Sequence, residues 1–154
     1  MRIVGGEWRG RPIDSPKGRD VSRPTTDRVR EAIASMLESA LPEGIEGSRV
    51  LDAFAGSGAL GLEVLSRGAE HAVFFDLDRS AAALVKRNLA KLSCAPARFQ
   101  VMCGDVVASA RRGRVPGGPF DAVLIDPPYA LGSQPAIDLS LIHISEPTRL
   151  DVIS

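Results

Sequence analysis

The tetrapeptide Asp126-Pro127-Pro128-Tyr129 directly follows the apolar run Phe120 to Ile125. Its two prolines fix the backbone and remove N–H donors, leaving the Asp126 carboxylate and the Pro127 carbonyl as acceptors with no competing donor. Such a pair can hold an exocyclic amino group by both N–H bonds, reduce its conjugation with the ring and point the nitrogen lone pair at an electrophilic methyl group. Tyr129 can stack on the base, a contact worth about 1–3 kcal/mol in single-stranded recognition. Transfer would be direct and in line, driven by positioning and by acceptors aimed at developing positive charge, with no metal or covalent intermediate. A proline-rich turn with an exposed tyrosine is the plainer alternative.

A second stretch, Val50 to Glu63 (VLDAFAGSGALGLE), supplies the other half of that chemistry. Val50 and Leu51 end an apolar run, Asp52 closes it, and Gly56 and Gly58 let the backbone turn where a Cβ would block a ligand. Ala59 to Arg67 then reads as a helix. No Lys follows the glycines, which excludes the nucleotide-triphosphate loop. Gly56, Gly58 and Gly61 meet the bare dinucleotide spacing. An acid directly before the turn nevertheless suits S-adenosylmethionine better, since it can meet a cationic amino-acid end and has no pyrophosphate to repel. A tight turn without a ligand stays open as the simpler reading. The loop positions assigned to cofactor are Asp52, Phe54, Ala55, Gly56, Ser57 and Gly58.

Strands and helices alternate around these stretches. Ala72 to Asp76 is a short apolar strand ending in an acid. Asp78 caps a helix over Arg79 to Leu92, with Leu84, Val85, Asn88, Leu89 and Leu92 on one side. Arg98 to Met102 and Phe120 to Ile125 are further strands. Alternation predicts a parallel sheet whose right-handed crossovers place every carboxyl end on one edge, so Asp52, Asp76, Asp105 and Asp126 converge on one crevice. Asp76, about twenty residues past the glycine turn, is placed to accept from ribose hydroxyls. Asp105, with the backbone of Val106 beside it, can accept from an adenine amino group. Asp78 and Asp105 can equally serve as helix caps.

The chain of 154 residues carries no net charge, and its length predicts one domain. Residues 1–30 nevertheless hold eight Lys and Arg against four acids, a +4 segment balanced by −4 in the remainder. Such a basic arm is either a nucleic-acid contact or a solvated charged face. Arg2 to Val4, Gly5-Gly6 and Glu7 to Arg11 read as a hairpin with a glycine turn. In it, Trp8 can stack a base between Arg9 and Arg11 or anchor the hairpin to the body. Pro12 to Pro24 is a connector. Thr25-Thr26-Asp27 cap a helix with the apolar stripe Val29, Ile33, Met36, Leu37 and Ala40, stopped by Pro42 and Gly44; Arg28, Arg30 and Glu31 take the opposite face. Cys94 and Cys103 lack metal-ligand neighbours, and His71 and His143 are isolated, so neither a metal nor a disulfide is expected. With no leader and no long apolar run, the expectation is a soluble, cytoplasmic protein.

Met1 to about Asp138 resembles the RsmD family of bacterial methyltransferases. The matching segments are RIVGGEWRGR (Arg2 to Arg11), RPTTDRVRE (Arg23 to Glu31), DAFAGSGALGLE with Ser66-Arg67-Gly68-Ala69, and Asp126 to Tyr129. The glycine loop and DPPY together mean only amino-methyl transfer to nucleic acid, whereas the first two segments single out this family. The resemblance implies a Rossmann-like α/β class I methyltransferase with a parallel sheet, an N-terminal β-hairpin and a helix. It further implies S-adenosylmethionine as cofactor and the N2 of a guanine in 16S, small-subunit ribosomal RNA as target, either naked or in an assembly particle, with the enzyme a monomer. Asp126 to Tyr129 would form the reaction site, and Arg2, Trp8, Arg9, Arg11, Arg23, Arg28 and Arg30 would lie near RNA. A DNA adenine-N6 methyltransferase and a non-catalytic fragment are the competing readings.

Three departures from the family pattern stand out. Asp76 replaces the usual Glu. Ala34 and Ser35 stand where relatives often carry an aromatic residue and an amide. After Asp138 the family pattern ceases, and Leu139 to Arg149 (LSLIHISEPTR) resembles the translation of a transposase-derived sequencing adapter. The expected organisation is therefore a basic hairpin and connector (1–24), a truncated methyltransferase domain (25–138) and a non-native tail (139–154). Truncation would leave the fourth strand as an exposed apolar edge.

Overall fold

The computed structural model describes residues 1–16 and 26–125, together with a short strand at 150–151. Asp126 to Tyr129, Arg23, most of the connector and most of the tail therefore lie outside the described residues. Five parallel strands form the sheet: β1 (Arg49–Asp52), β2 (His71–Asp76), β3 (Phe99–Cys103), β4 (Ala122–Ile125) and β5 (Leu150–Asp151). Their order is β3-β2-β1-β4-β5. The chain steps outward from β1 to β3 and then returns to the other side of β1, so the direction reverses between β1 and β4. Ligands of open α/β sheets bind beyond the strand ends at such a reversal.

Alternation along each strand divides the core in two. Val50, Ala72, Phe74, Ala122 and Leu124 face α1 (Asp27–Ala40), α2 (Ala59–Ser66) and α3 (Arg79–Lys91), while Leu51, Val73, Phe75, Val123 and Ile125 face α4 (Val106–Arg111). A buried Phe or Leu of this kind contributes roughly 1.5–3 kcal/mol. The first side is packed very closely. A Cβ on Gly61 of α2 would lie 2.4 Å from the Phe74 ring, so only glycine lets this helix approach β2.

The stripe on α3 is as expected, with Leu84, Val85, Asn88, Leu89 and Leu92 all buried. The stripe on α1 is rotated from expectation. Thr26 caps the helix through a bond from the Val29 amide, but the buried face is Arg30, Ile33, Ala34 and Leu37, while Val29 and Met36 are 41% and 54% exposed. Arg30 turns inward because a buried carboxylate, Glu63 of α2, waits for it across the interface.

The N-terminal hairpin is also shifted. Its pairing joins Met1 to Ile3 with Gly10 to Ile13, through Ile3 N to Arg11 O, Gly10 N to Ile3 O and Ile13 N to Met1 O. Val4 to Arg9 therefore forms the loop, and Pro12 belongs to the pairing. At the far side of the sheet β4 is not left bare. Leu124 and Ile125 pair with Leu150 and Asp151, which corrects the expectation of an uncovered edge along this strand.

Candidate active site

The carboxyl ends of β1, β2 and β3 carry Asp52, Asp76 and, two residues past β3, Asp105. The turn between β1 and α2 is tied to both neighbours of β1: Ala53 N donates to Leu124 O at 3.0 Å and Ala55 N to Phe75 O at 2.8 Å. Gly56 and Gly58 have φ of 59° and 83°, in the left-handed region where a side chain is strained. Asp76 then closes the turn, with one carboxylate oxygen accepting from Gly56 N and the other from Asp78 N, each at 2.9 Å. A carboxylate offers about four lone-pair positions, so these two bonds leave acceptor capacity at the crevice. Among the described residues, a Cβ on Gly56 or Gly104 would meet nothing within 4 Å, so open space fronts the ends of β1 and β3.

The other acids differ in setting. Asp52 is buried under the first turn of α2 and accepts from Gly61 N at 3.1 Å. Asp105 is exposed and caps α4 through the Val107 and Ala108 amides at 3.0 and 3.1 Å, as the capping alternative anticipates. Val106 is buried in the second core, Phe54 and Ala55 are half-buried against the cores, and Ser57 is buried. A separate cavity of about 270 Å³, lined by Leu41, Gly44, Ser48 and Asp121 among others, opens at the amino ends of β1 and β4 and so lies away from this crevice. No three His, Cys, Asp or Glu side chains gather as a metal site among the described residues.

The family described as "Conserved hypothetical protein 95" matches residues 1–146. The chain is 40% identical over 132 residues to ribosomal RNA small subunit methyltransferase D of Escherichia coli, covering 86% of this chain and 62% of that protein. The chain belongs to the RsmD family. The protein of the same name from Haemophilus influenzae is 38% identical over 131 residues, covering 84% of this chain and 64% of that relative. This RsmD-family chain therefore spans less than two thirds of either relative. The solved structure of the Escherichia coli protein yhhF superposes with a TM-score of 0.77 at 34% identity, covering 94% of this chain and 74% of that one. The architecture is accordingly the α/β Rossmann-like methyltransferase fold.

Within the RsmD-family arm, two expected RNA contacts are overturned. Trp8 is 5% exposed, packs into the first core and lies under Arg98, whose guanidinium carbon is 5.5 Å from the ring centroid. It is the anchor, not a stacking platform. Arg30 is 0% exposed and is held by Arg2 O, Asp27 and Glu63. Arg11 is exposed but spends its guanidinium on the carbonyls of Lys91 and Leu92 at the end of α3. Arg2, Arg9 and Arg28 remain exposed.

The organising roles of three residues escaped the sequence reading. Glu63 accepts from Val4 N and Gly5 N, each at 2.9 Å, and from Arg67 Nε at 3.0 Å. Ser66 accepts from Trp8 N and donates to Gly5 O. Asn88 bonds to the backbone of both Asp14 and Ser57. The available signal was a polar residue on an apolar face: Glu63 and Ser66 on a helix of otherwise small and apolar residues, and Asn88 in the middle of the α3 stripe.

Proposed function

We propose that this chain uses S-adenosylmethionine to methylate the exocyclic N2 of a guanine in small-subunit ribosomal RNA. One observation carries the reading. In a chain of this family, the left-handed glycine turn has open space at Gly56 among the described residues and is closed by Asp76, a carboxylate at the end of the next strand with lone pairs beyond the two that accept from Gly56 and Asp78. The cofactor, when bound, supplies an electrophilic methyl group on a sulfonium. Asp76 would accept from its ribose hydroxyls and Asp105 from its adenine amino group, and the Asp52 carboxylate would favour its cationic amino-acid end. Asp126 and the Pro127 carbonyl hold the target amino group while Tyr129 stacks on the guanine.

RNA approaches from the side of the arm. Arg2, Arg9 and Arg28 are exposed cations on that side, and Arg2 Nε lies 3.9 Å from Asp27 at the start of α1. They hold phosphate, so removing any one weakens binding for all sequences alike and lowers the salt slope by roughly one. The chain acts as a monomer on RNA or on an assembling small subunit.

The test is calorimetry with S-adenosylmethionine, followed by methyl transfer to small-subunit RNA particles and nucleoside analysis. N2-methylguanosine is the expected product. Lack of cofactor binding would refute the crevice assignment, and N6-methyladenine formed in DNA would refute the substrate.

A further inference from the structure

Asn88 is fully buried in α3 and directs its whole carboxamide at main chain. Its Nδ2 donates to Ser57 O at 3.0 Å and Asp14 O at 3.1 Å, and its Oδ1 accepts from Asp14 N at 2.8 Å. Ser57 sits inside the glycine turn, between Gly56 and Gly58. Asp14 is the residue at which the arm leaves its pairing, one past the Ile13 N to Met1 O bond. A neutral planar amide can donate twice and accept at once, whereas an aspartate there would set a charge against two carbonyls and a leucine would leave the freed groups without a partner.

The same turn is flanked on its other side. Gly58 caps helix α2, whose Glu63 and Ser66 grip Val4, Gly5 and Trp8. Both grips on the arm thus issue from elements that adjoin the turn. We propose that Asn88 is a positioning residue that couples the glycine turn to the N-terminal arm: a ligand that orders the turn tightens the arm at Asp14, and an arm clamped by RNA favours the binding geometry of the turn. Reciprocity is a requirement of linkage. The inference rests on the S-adenosylmethionine reading and adds a route between cofactor and RNA.

Asp14 also forms surface pairs with Lys91 at 3.0 Å and Arg87 at 3.9 Å, and neither of these touches the turn. They provide the control. Residue-resolved hydrogen exchange by NMR on the full chain, with and without S-adenosylhomocysteine, reads the coupling apart from activity. In the unmodified chain, saturation should slow exchange of the Asp14 amide roughly tenfold. Asn88→Ala should abolish that slowing while calorimetry still detects binding, and Lys91→Ala should keep it. Should Asn88→Ala fail to fold, Asn88→Ser, whose hydroxyl is too short to span both partners, takes its place. If S-adenosylhomocysteine binds but the Asp14 amide does not respond, or responds equally without Asn88, the coupling is wrong and the cofactor reading stands. If the unmodified chain binds neither S-adenosylmethionine nor S-adenosylhomocysteine, both fall.

Discussion

Glu63 and Asp76 are two carboxylates that accept from main-chain amides, and their settings are opposite. Glu63 is enclosed, with both oxygens taken by Val4 N and Gly5 N and with Arg30 and Arg67 beside it. Every direction around it is occupied by protein, so its charge is committed to seating the arm. Asp76 is only half-buried, has no ion-pair partner among the described residues and closes a turn whose Gly56 has open space among them. The contrast separates a structural carboxylate from the one proposed to bind cofactor: a cation beside it and an enclosed setting mark the first, acceptor positions not taken by the described residues mark the second.

The sharpest way to break the comparison is Glu63→Ala. It removes an acceptor of two amides and one of the two carboxylates paired with the buried Arg30, so unfolding in urea should lose about 3–5 kcal/mol. A loss below 1 kcal/mol would mean that Trp8, Ile3 and the Ser66 and Asn88 bonds seat the arm without Glu63. Asp76→Asn should weigh more on binding. Its amide nitrogen meets one of the two amides that the carboxylate accepts, a cost of about 1–3 kcal/mol, while S-adenosylmethionine affinity measured by calorimetry falls about 10- to 100-fold, the worth of a hydrogen bond to a charged group. An unchanged affinity would make Asp76 a loop staple only.

Asp105 tests the boundary between the two kinds. Asp105→Ala should cost about 1 kcal/mol as a lost cap. Asp105→Ser restores the cap, so a loss of cofactor affinity that persists in this variant isolates the proposed adenine contact.

The smallest effect belongs to His71, buried at the amino end of β2 with no partner for Nδ1 among the described residues. Burial first, and the Arg49 charge second, hold its pKa below the ordinary 6.5 against an opposing pull from Glu70. The unfolded chain therefore takes up this proton at higher pH than the folded chain. Stability from this group is full above its unfolded pKa and declines as the pH falls from there toward the folded value. His71→Asn should flatten that part of the slope in urea midpoints measured at roughly pH 7.5 and roughly pH 5.5.

What was legible in the sequence follows from the reach of each signal. The strand ends, the glycine turn and the α3 face were readable because apolar periodicity and left-handed glycines are local. Arg30 was misplaced because its partner lies 33 residues onward. Yet 30, 33, 34 and 37 follow helical spacing, and treating the arginine as a possible core member would have found the true face of α1. Trp8 could not be resolved from composition, since an aromatic among arginines fits both a base platform and an anchor. Its burial against Arg98, ninety residues away, decided it. Asn88 was placed on the right face, but its two partners, in separate stretches of chain, appear only once the helix is packed.

One consequence follows from the manner in which the arm is gripped. Glu63 and Asn88 take hold of it through the peptide groups of Val4, Gly5 and Asp14, and no side chain of the arm supplies those particular bonds. At positions 4 and 14 the grip therefore reads no letter of the sequence. The arm resembles a tool bit held in a chuck: its outward residues are free to drift while the seat, and the distance from that seat to the glycine turn, stay as they are.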